Sequence, residues 1–190
     1  MKIGLYFGSF NPVHVAHLII ANHILNETDI EKIWFVVSPQ NPLKKESGLL
    51  NEYHRLHLVR LATEEDNRIK ASDIEFTLPK PSYTINTLTY LAEKHPEHSF
   101  NVIMGSDSFQ NIHNWKNYEA ILKNYPVYVY LRPGFDIKDE RGADLHILEA
   151  PLLQLSATQI RKYIREGKPV RYMVPDKVLD EIEKGGYYKK

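Results

Sequence analysis

The sequence contains no cysteine. That excludes a disulfide framework, a thiolate nucleophile and any cysteine-ligated metal. It has no excess of either charge: 24 Lys and Arg balance 24 Asp and Glu, for a formal net charge of 0. A general electrostatic pull towards nucleic acid or an anionic membrane is thereby excluded. Phosphate binding, if present, must be local and built from a few aimed groups. No stretch approaches the roughly 18 consecutive apolar residues of a membrane span. The short apolar run Ile3–Phe7 lacks the small-residue cleavage site of a signal peptide. The expectation is a cytoplasmic protein with no nucleic-acid and no membrane partner, for which a homo-oligomer stays open. Internal repeats and low-complexity segments are also missing. What remains is ordinary globular material: 190 residues, 43% of them hydrophobic. That suffices for one core and would be a squeeze for two. We therefore expect a single α/β domain over residues 1–184 and a frayed tail at 185–190.

Apolar runs at Ile3–Phe7, Lys32–Val37, Ser99–Met104, Val127–Leu131 and Leu145–Leu148 read as strands, with a short one at Ile69–Ala71. Between them lie helical patterns at Val13–Leu25, from Asn51 to Thr63, and at Tyr83–Lys94 and Tyr118–Lys123. Ser156 is a good N-cap for a helix to Ile164, and Pro175-Asp176 opens a last helix to Lys184. Arg132–Asp144, glycine-rich and charged, reads as an exposed loop. Strands alternating with helices predict a Rossmann-like, doubly wound parallel sheet with helices on both faces, plus a small C-terminal helical segment. In such a sheet the first strand and the strand that opens the second half lie side by side. Ligands sit at their carboxyl ends. The turns at Gly8–Pro12 and Gly105–Asp107 would then flank one crevice.

The first turn, Gly8-Ser9-Phe10-Asn11-Pro12-Val13-His14-Val15-Ala16-His17, is the most informative segment. Gly8 lets backbone approach a ligand. Pro12 fits a helix start, where free N–H groups and the dipole favour an anion. His14 and His17, three residues apart, share a face and could both donate to phosphate oxygens that gain charge during reaction. The plainer reading is two partly buried polar side chains. The chain carries its own controls, since His54/His57 and His95/His98 have the same spacing without that context. No metal ligands are assigned.

That segment resembles the nucleotidyltransferase signature G-[ST]-F-D-P-x-H-x-G-H, with Asn11 for the usual Asp and Ala16 for the usual Gly. Leu155-Ser156-Ala157-Thr158-Gln159-Ile160-Arg161 is similar to the second signature, [ST]-[ST]-x-[IL]-R. Further segments resemble nicotinate-mononucleotide adenylyltransferases: Pro39–Lys44, Tyr53–Leu58, Pro81–Leu88 with its Ser-Tyr-Thr, Ile103–Phe109 followed by Trp115, and Arg171–Val178. The resemblance runs from Lys2 to about Glu183.

It implies adenylyl transfer from ATP to nicotinate mononucleotide, with Mg²⁺ accompanying ATP, to give nicotinate adenine dinucleotide and pyrophosphate in NAD synthesis. The attacking group is already an ionised phosphate, so catalysis reduces to positioning and charge stabilisation. Under that resemblance the catalytic residues are His14, His17, Lys44 and Arg161. ATP would be bound by Gly8, Ser9, Phe10, His14, His17, Gly105, Asp107, Ser156, Thr158 and Arg161. The acceptor would meet Tyr83, Thr84, Asp107 and Trp115. Plainer roles stay open: Lys44 in a solvated basic loop, Ser156 as a helix cap, Trp115 as packing. Pantetheine-phosphate adenylyltransferase, glycerol-3-phosphate cytidylyltransferase and a non-catalytic nucleotide sensor are the alternatives.

Overall fold

The computed structural model describes residues 1–40, 48–151 and 153–189. Strands β1 (Lys2–Gly8), β2 (Lys32–Val37), β3 (Ile69–Ser72), β4 (Ser99–Gly105), β5 (Val127–Tyr130) and β6 (Leu145–Leu148) form one sheet in the order 3-2-1-4-5-6. Every neighbouring pair is parallel. The helices are α1 (Val15–Glu27), α2 (Glu52–Thr63), α3 (Thr84–Lys94), α4 (Ser106–Gln110), α5 (Tyr118–Asn124), α6 (Ala157–Arg165) and α7 (Asp176–Gly185). Among the described residues no helix is long and apolar enough to cross a membrane.

The strand sequences dictate a sheet covered on both sides. Successive side chains on a strand point to opposite faces. Ile33, Phe35 and Val37 of β2 join one core with residues of α1, α2, α6 and α7. Trp34 and Val36 join the other, with residues of α3, α4 and α5. A strand apolar at every position is stable only when helices cover both faces. β1 pairs with β4, Tyr6 opposite Ile103, so the crevice expected at the switch in strand order lies between their carboxyl ends.

One local expectation needs correction. Pro12 does not open the first helix: α1 begins at Val15, with His14 at its N-cap. The buried Asn11 side chain is instead bound to another segment, donating to Gly48 O (3.2 Å) and accepting from Leu50 N–H (3.1 Å). That tertiary tie holds Asn11 and Pro12 in a turn. The short helix α4 follows β4 directly, at a turn that leads from strand to helix. At the other end of the chain, residues 185–189 lie against the domain. The Tyr187 Oη hydroxyl lies 3.0 Å from His54 Nδ1, and Tyr188 is buried in the core beside α7. Two aromatic rings in a short polar tail offer apolar area that outweighs the entropy of ordering it.

Candidate active site

Two adjoining hollows lie at the carboxyl ends of β1 and β4. The larger is about 860 Å³ and the smaller about 440 Å³, both within the size range of small-molecule sites. They share Gly8, Ser9, Asp107, Ser108 and Tyr130, so they are two ends of one crevice.

His14, His17, Ser156, Thr158 and Arg161 all line the larger hollow. The fold brings them together in specific ways. His14 N–H donates to His17 Nδ1 (3.2 Å), across the first turn of α1. With Nδ1 of His17 accepting, its proton belongs on Nε2, leaving a donor at the far side of the ring. The two imidazoles stack at 3.7 Å between centroids. His17 also meets Tyr6 and Phe10 edge-on, which fixes its ring. His14 is nearly fully buried. Burial first, and the positive charge of Arg132 second, push its pKa down to about 4. It is therefore a neutral imidazole at pH 7. Its Nδ1 is buried without a partner.

Ser156 caps α6 by accepting from Gln159 N–H (3.2 Å). Arg161, one turn further on, donates through Nη1 to Asn11 O (2.8 Å) and approaches Thr158 Oγ1 through Nη2 (3.4 Å). The two motifs, distant in sequence, thus touch. Asn11 serves this turn because its amide donates and accepts at once, which a carboxylate cannot do.

Tyr83, Thr84, Trp115 and Asp107 line the smaller hollow. Trp115 is half-buried against the second core, so it packs and also presents a surface. The Lys116 ammonium sits 4.5 Å from the Tyr83 ring centre. Gly105 falls on the wall of this hollow and not of the larger one. Phe10 lines the larger hollow, but its ring is buried and stacks on Phe35 at 5.1 Å. It sits at a φ of 46°, a conformation that costs an aromatic residue energy and turns the chain sharply. Its ring lies 3.0–3.2 Å from where a Cβ on Gly8 would be, so the glycine makes room for it. Lys44 lies outside the described residues.

Sequence reasoning missed several residues here. Arg132, read as part of an exposed loop, is open to solvent but faces the crevice. It pairs with Asp107 (Nε to Oδ1, 3.2 Å), donates to Tyr130 Oη (3.3 Å), and is anchored by its N–H on Ser106 Oγ (2.8 Å). Beneath it, the buried hydroxyls of Tyr130 and Tyr6 are 3.1 Å apart. A signal for Arg132 did exist, because it follows β5 at its carboxyl end, where ligands bind in such sheets. Arg55 is fully buried in α2. It donates to Ser9 O (2.5 Å), Ser38 O (2.8 Å), Pro39 O (3.1 Å) and Leu50 O (2.7 Å), and so ties three loops together. Nothing in the sequence marked it.

The donor set also bears on the metal. Asp107 is the one carboxylate among the described residues lining the larger hollow. Mg²⁺ binds through one or two carboxylates plus substrate phosphates and keeps several waters. Asp107 is the residue of this crevice that could hold such an ion, and its Oδ1 also pairs with Arg132 Nε (3.2 Å).

Residues 5–163 match the cytidylyltransferase-like family. A "Probable nicotinate-nucleotide adenylyltransferase" of Flavobacterium psychrophilum is 50% identical over the full length of both chains. One of Bacteroides thetaiotaomicron is 42% identical over 96% of this chain and 91% of its own. The chain belongs to the cytidylyltransferase-like family, in its nicotinate-nucleotide adenylyltransferase branch. The fold agrees. The nicotinic acid mononucleotide adenylyltransferase of Plasmodium falciparum complexed with NaAD superposes with a TM-score of 0.83 at 23% identity, over 98% of this chain and 97% of that one. The branch that the resemblance implied is therefore the branch found. Its two signatures, at Gly8–His17 and Leu155–Arg161, are the segments that meet at the Arg161–Asn11 contact.

Proposed function

We propose that this chain joins the adenylyl group of ATP to nicotinate mononucleotide in the cytoplasm, a step of NAD biosynthesis. The phosphate oxygen of the mononucleotide attacks the α-phosphorus of ATP. The α–β bridging bond breaks, pyrophosphate leaves, and nicotinate adenine dinucleotide remains. The observation that carries this reading is the shared wall. A basic, histidine-bearing hollow and an aromatic, hydroxyl-bearing hollow meet at Gly8, Ser9 and Asp107, where two bound nucleotides would abut.

The geometry supports the following roles. His17 directs its Nε2 proton, and neutral His14 its ring, towards the α-phosphate. A donor aimed at charge that grows in the transition state lowers the barrier. Ser156, Thr158 and the remaining face of the Arg161 guanidinium hold the outer phosphates, since an arginine fork suits phosphate oxygens. Lys44 adds positive charge to the same phosphates. Mg²⁺, held by the phosphates with Asp107, neutralises the triphosphate when bound. On the acceptor side Trp115 stacks on the pyridinium ring, whose positive charge favours a π-face. Tyr83 and Thr84 offer hydroxyl and N–H groups at the start of α3. Lys116 places a cation on this wall, which favours the carboxylate of nicotinate over a neutral amide.

Pyrophosphate release decides the matter when measured with ATP and nicotinate mononucleotide, and in parallel with nicotinamide mononucleotide, phosphopantetheine and CTP. Nicotinate mononucleotide with ATP should give the highest kcat/KM. Turnover of phosphopantetheine, a preference for CTP, or ATP binding without pyrophosphate release would overturn the proposal.

A further inference from the structure

His95, Glu97 and His98 form a cluster at the end of the molecule opposite the crevice. Among the described residues this is the one group of three potential metal ligands whose donor atoms converge. Glu97 Oε1 lies 3.5 Å from His95 Nδ1 and 3.4 Å from His98 Nε2. A tetrahedral ion with arms of about 2.0–2.1 Å separates its ligand atoms by about 3.3–3.4 Å. The contacts to the carboxylate oxygen therefore already stand at ligand spacing. A His-His-carboxylate set suits a borderline transition ion such as Zn²⁺, and does not suit Mg²⁺.

The turn that carries the cluster is held from several directions. His95 ends α3, its N–H bonded to Leu91 O (2.9 Å), and His98 N–H bonds back to His95 O (3.0 Å). Ser99 N–H then bonds to Met1 O (2.9 Å), which fastens the turn to the strand beside it. The His95 ring meets Trp34 edge-on at 6.1 Å, and the His98 ring meets Phe100 edge-on at 6.1 Å. The imidazoles are thus oriented before any ion arrives, while Glu97 and the open side of the cluster face solvent.

We propose that His95, Glu97 and His98 bind one divalent transition-metal ion, with solvent completing the coordination, and that this ion clips the end of α3 to the start of β4. Four residues of β4, at 99–102, separate the cluster from Ile103 on the crevice wall, about 16 Å at the rise of an extended strand. The site therefore acts on stability and is independent of phosphate chemistry. His98 Nδ1 is buried without a partner, so the ligand has no acceptor behind it. Missing support of that kind weakens binding by about 10–100-fold.

The test uses the full-length chain without a histidine tag, stripped with a chelator. Zn²⁺ alone is titrated by calorimetry, and melting is followed with Zn²⁺ or with Mg²⁺. The expected result is one Zn²⁺ ion per chain, with Tm raised by roughly 5 °C at a hundredfold excess over Kd and no rise with Mg²⁺. His98→Ala should weaken binding by at least ~10-fold, because it removes one of three ligands. Glu97 is exposed, so Glu97→Gln keeps the fold. It should weaken Zn²⁺ binding several-fold while leaving pyrophosphate release unchanged. Zn²⁺ binding that persists in the His95→Ala/His98→Ala double variant would place the ion on other histidines and overturn the proposal. So would an equal Tm shift with Mg²⁺, or wild-type affinity in Glu97→Gln.

Discussion

The guanidinium of Arg161 is bonded through Nη1 to the main-chain oxygen of Asn11 at 2.8 Å, across 150 positions of sequence. The bond joins the middle of α6 to the turn that precedes His14 and His17. Part of the arginine's donor capacity is spent on the protein itself. Its remaining N–H groups are thereby fixed in direction over the larger hollow. The same residue can thus hold phosphate and keep the two halves of the phosphate site in register.

This predicts a separation of kinetic effects. Arg161→Ala should raise the KM for ATP by about 10–100-fold, the value of one charge-assisted hydrogen bond lost. Arg161→Lys should recover little of it, since an ammonium cannot span the Asn11 oxygen and a phosphate at once. His17→Ala should leave KM for ATP nearly unchanged and lower kcat by at least ~10²-fold, as for a donor that acts in the transition state. Steady-state kinetics on the three variants checks both halves. An unchanged kcat in His17→Ala would remove His17 from the chemistry.

Acid stability should carry the signature of His14. Its pKa falls from 6.5 in the unfolded chain to about 4 in the fold, through burial and then Arg132. Between those values the unfolded chain binds the extra proton and the native one does not. Stability is therefore full above pH 6.5 and is lost as pH falls towards 4, by about 3 kcal/mol in total. Urea unfolding at a series of pH values measures this. His14→Gln has no proton to gain, so the difference between wild type and variant should vanish as a function of pH if some other group causes the slope.

The sheet was readable because its central strands are apolar on both faces, and two of its helices, α2 and α6, begin at a recognisable cap, Asn51 and Ser156. The crevice was readable from Gly8 and Gly105 at the ends of two such strands. What stayed hidden was set by tertiary bonds that leave no local pattern. Arg55 looks like any polar residue of an exposed helix face, yet it points inward to four carbonyl oxygens. Tyr188 reads as tail and is held by packing. Pro12 has the chemistry of a helix start, but the bonds made by Asn11 delay the helix to Val15. Arg132 was hidden by the glycine-rich composition of the loop that follows it.

Arg55 should prove essential to stability. Arg55→Met keeps most of the side-chain stem but deprives four carbonyl oxygens of a donor in the interior. Each buried group left unpaired costs about 1–3 kcal/mol, so a loss of roughly 3 kcal/mol or more is expected. Arg55→Lys should recover only part, because its single ammonium cannot reach carbonyls lying in several directions. Urea midpoints within about 0.5 kcal/mol of wild type for Arg55→Met, the range of an ordinary surface change, would refute the structural role.

Gly105 gives a test in which fold and activity part company. A Cβ at this position would overlap Asp107 Oδ1, lie 2.9 Å from Arg132 Nε and 3.1 Å from Tyr130 Cε2. Two of those three atoms are the ion pair that spans the crevice floor. Both partners are half-exposed side chains, which can swing away at little cost to the core. Gly105→Ala should therefore cost no more than ~1 kcal/mol of stability, typical of a mild substitution. The displaced Asp107 and Arg132 would no longer stand where both hollows meet. We expect kcat/KM to fall by about 10-fold or more, since small displacements of positioning groups are costly in catalysis. Paired melting and turnover measurements on this one variant check the claim. If Tm and kcat/KM both stay at wild-type values, the Asp107–Arg132 pair has no part in positioning the substrates.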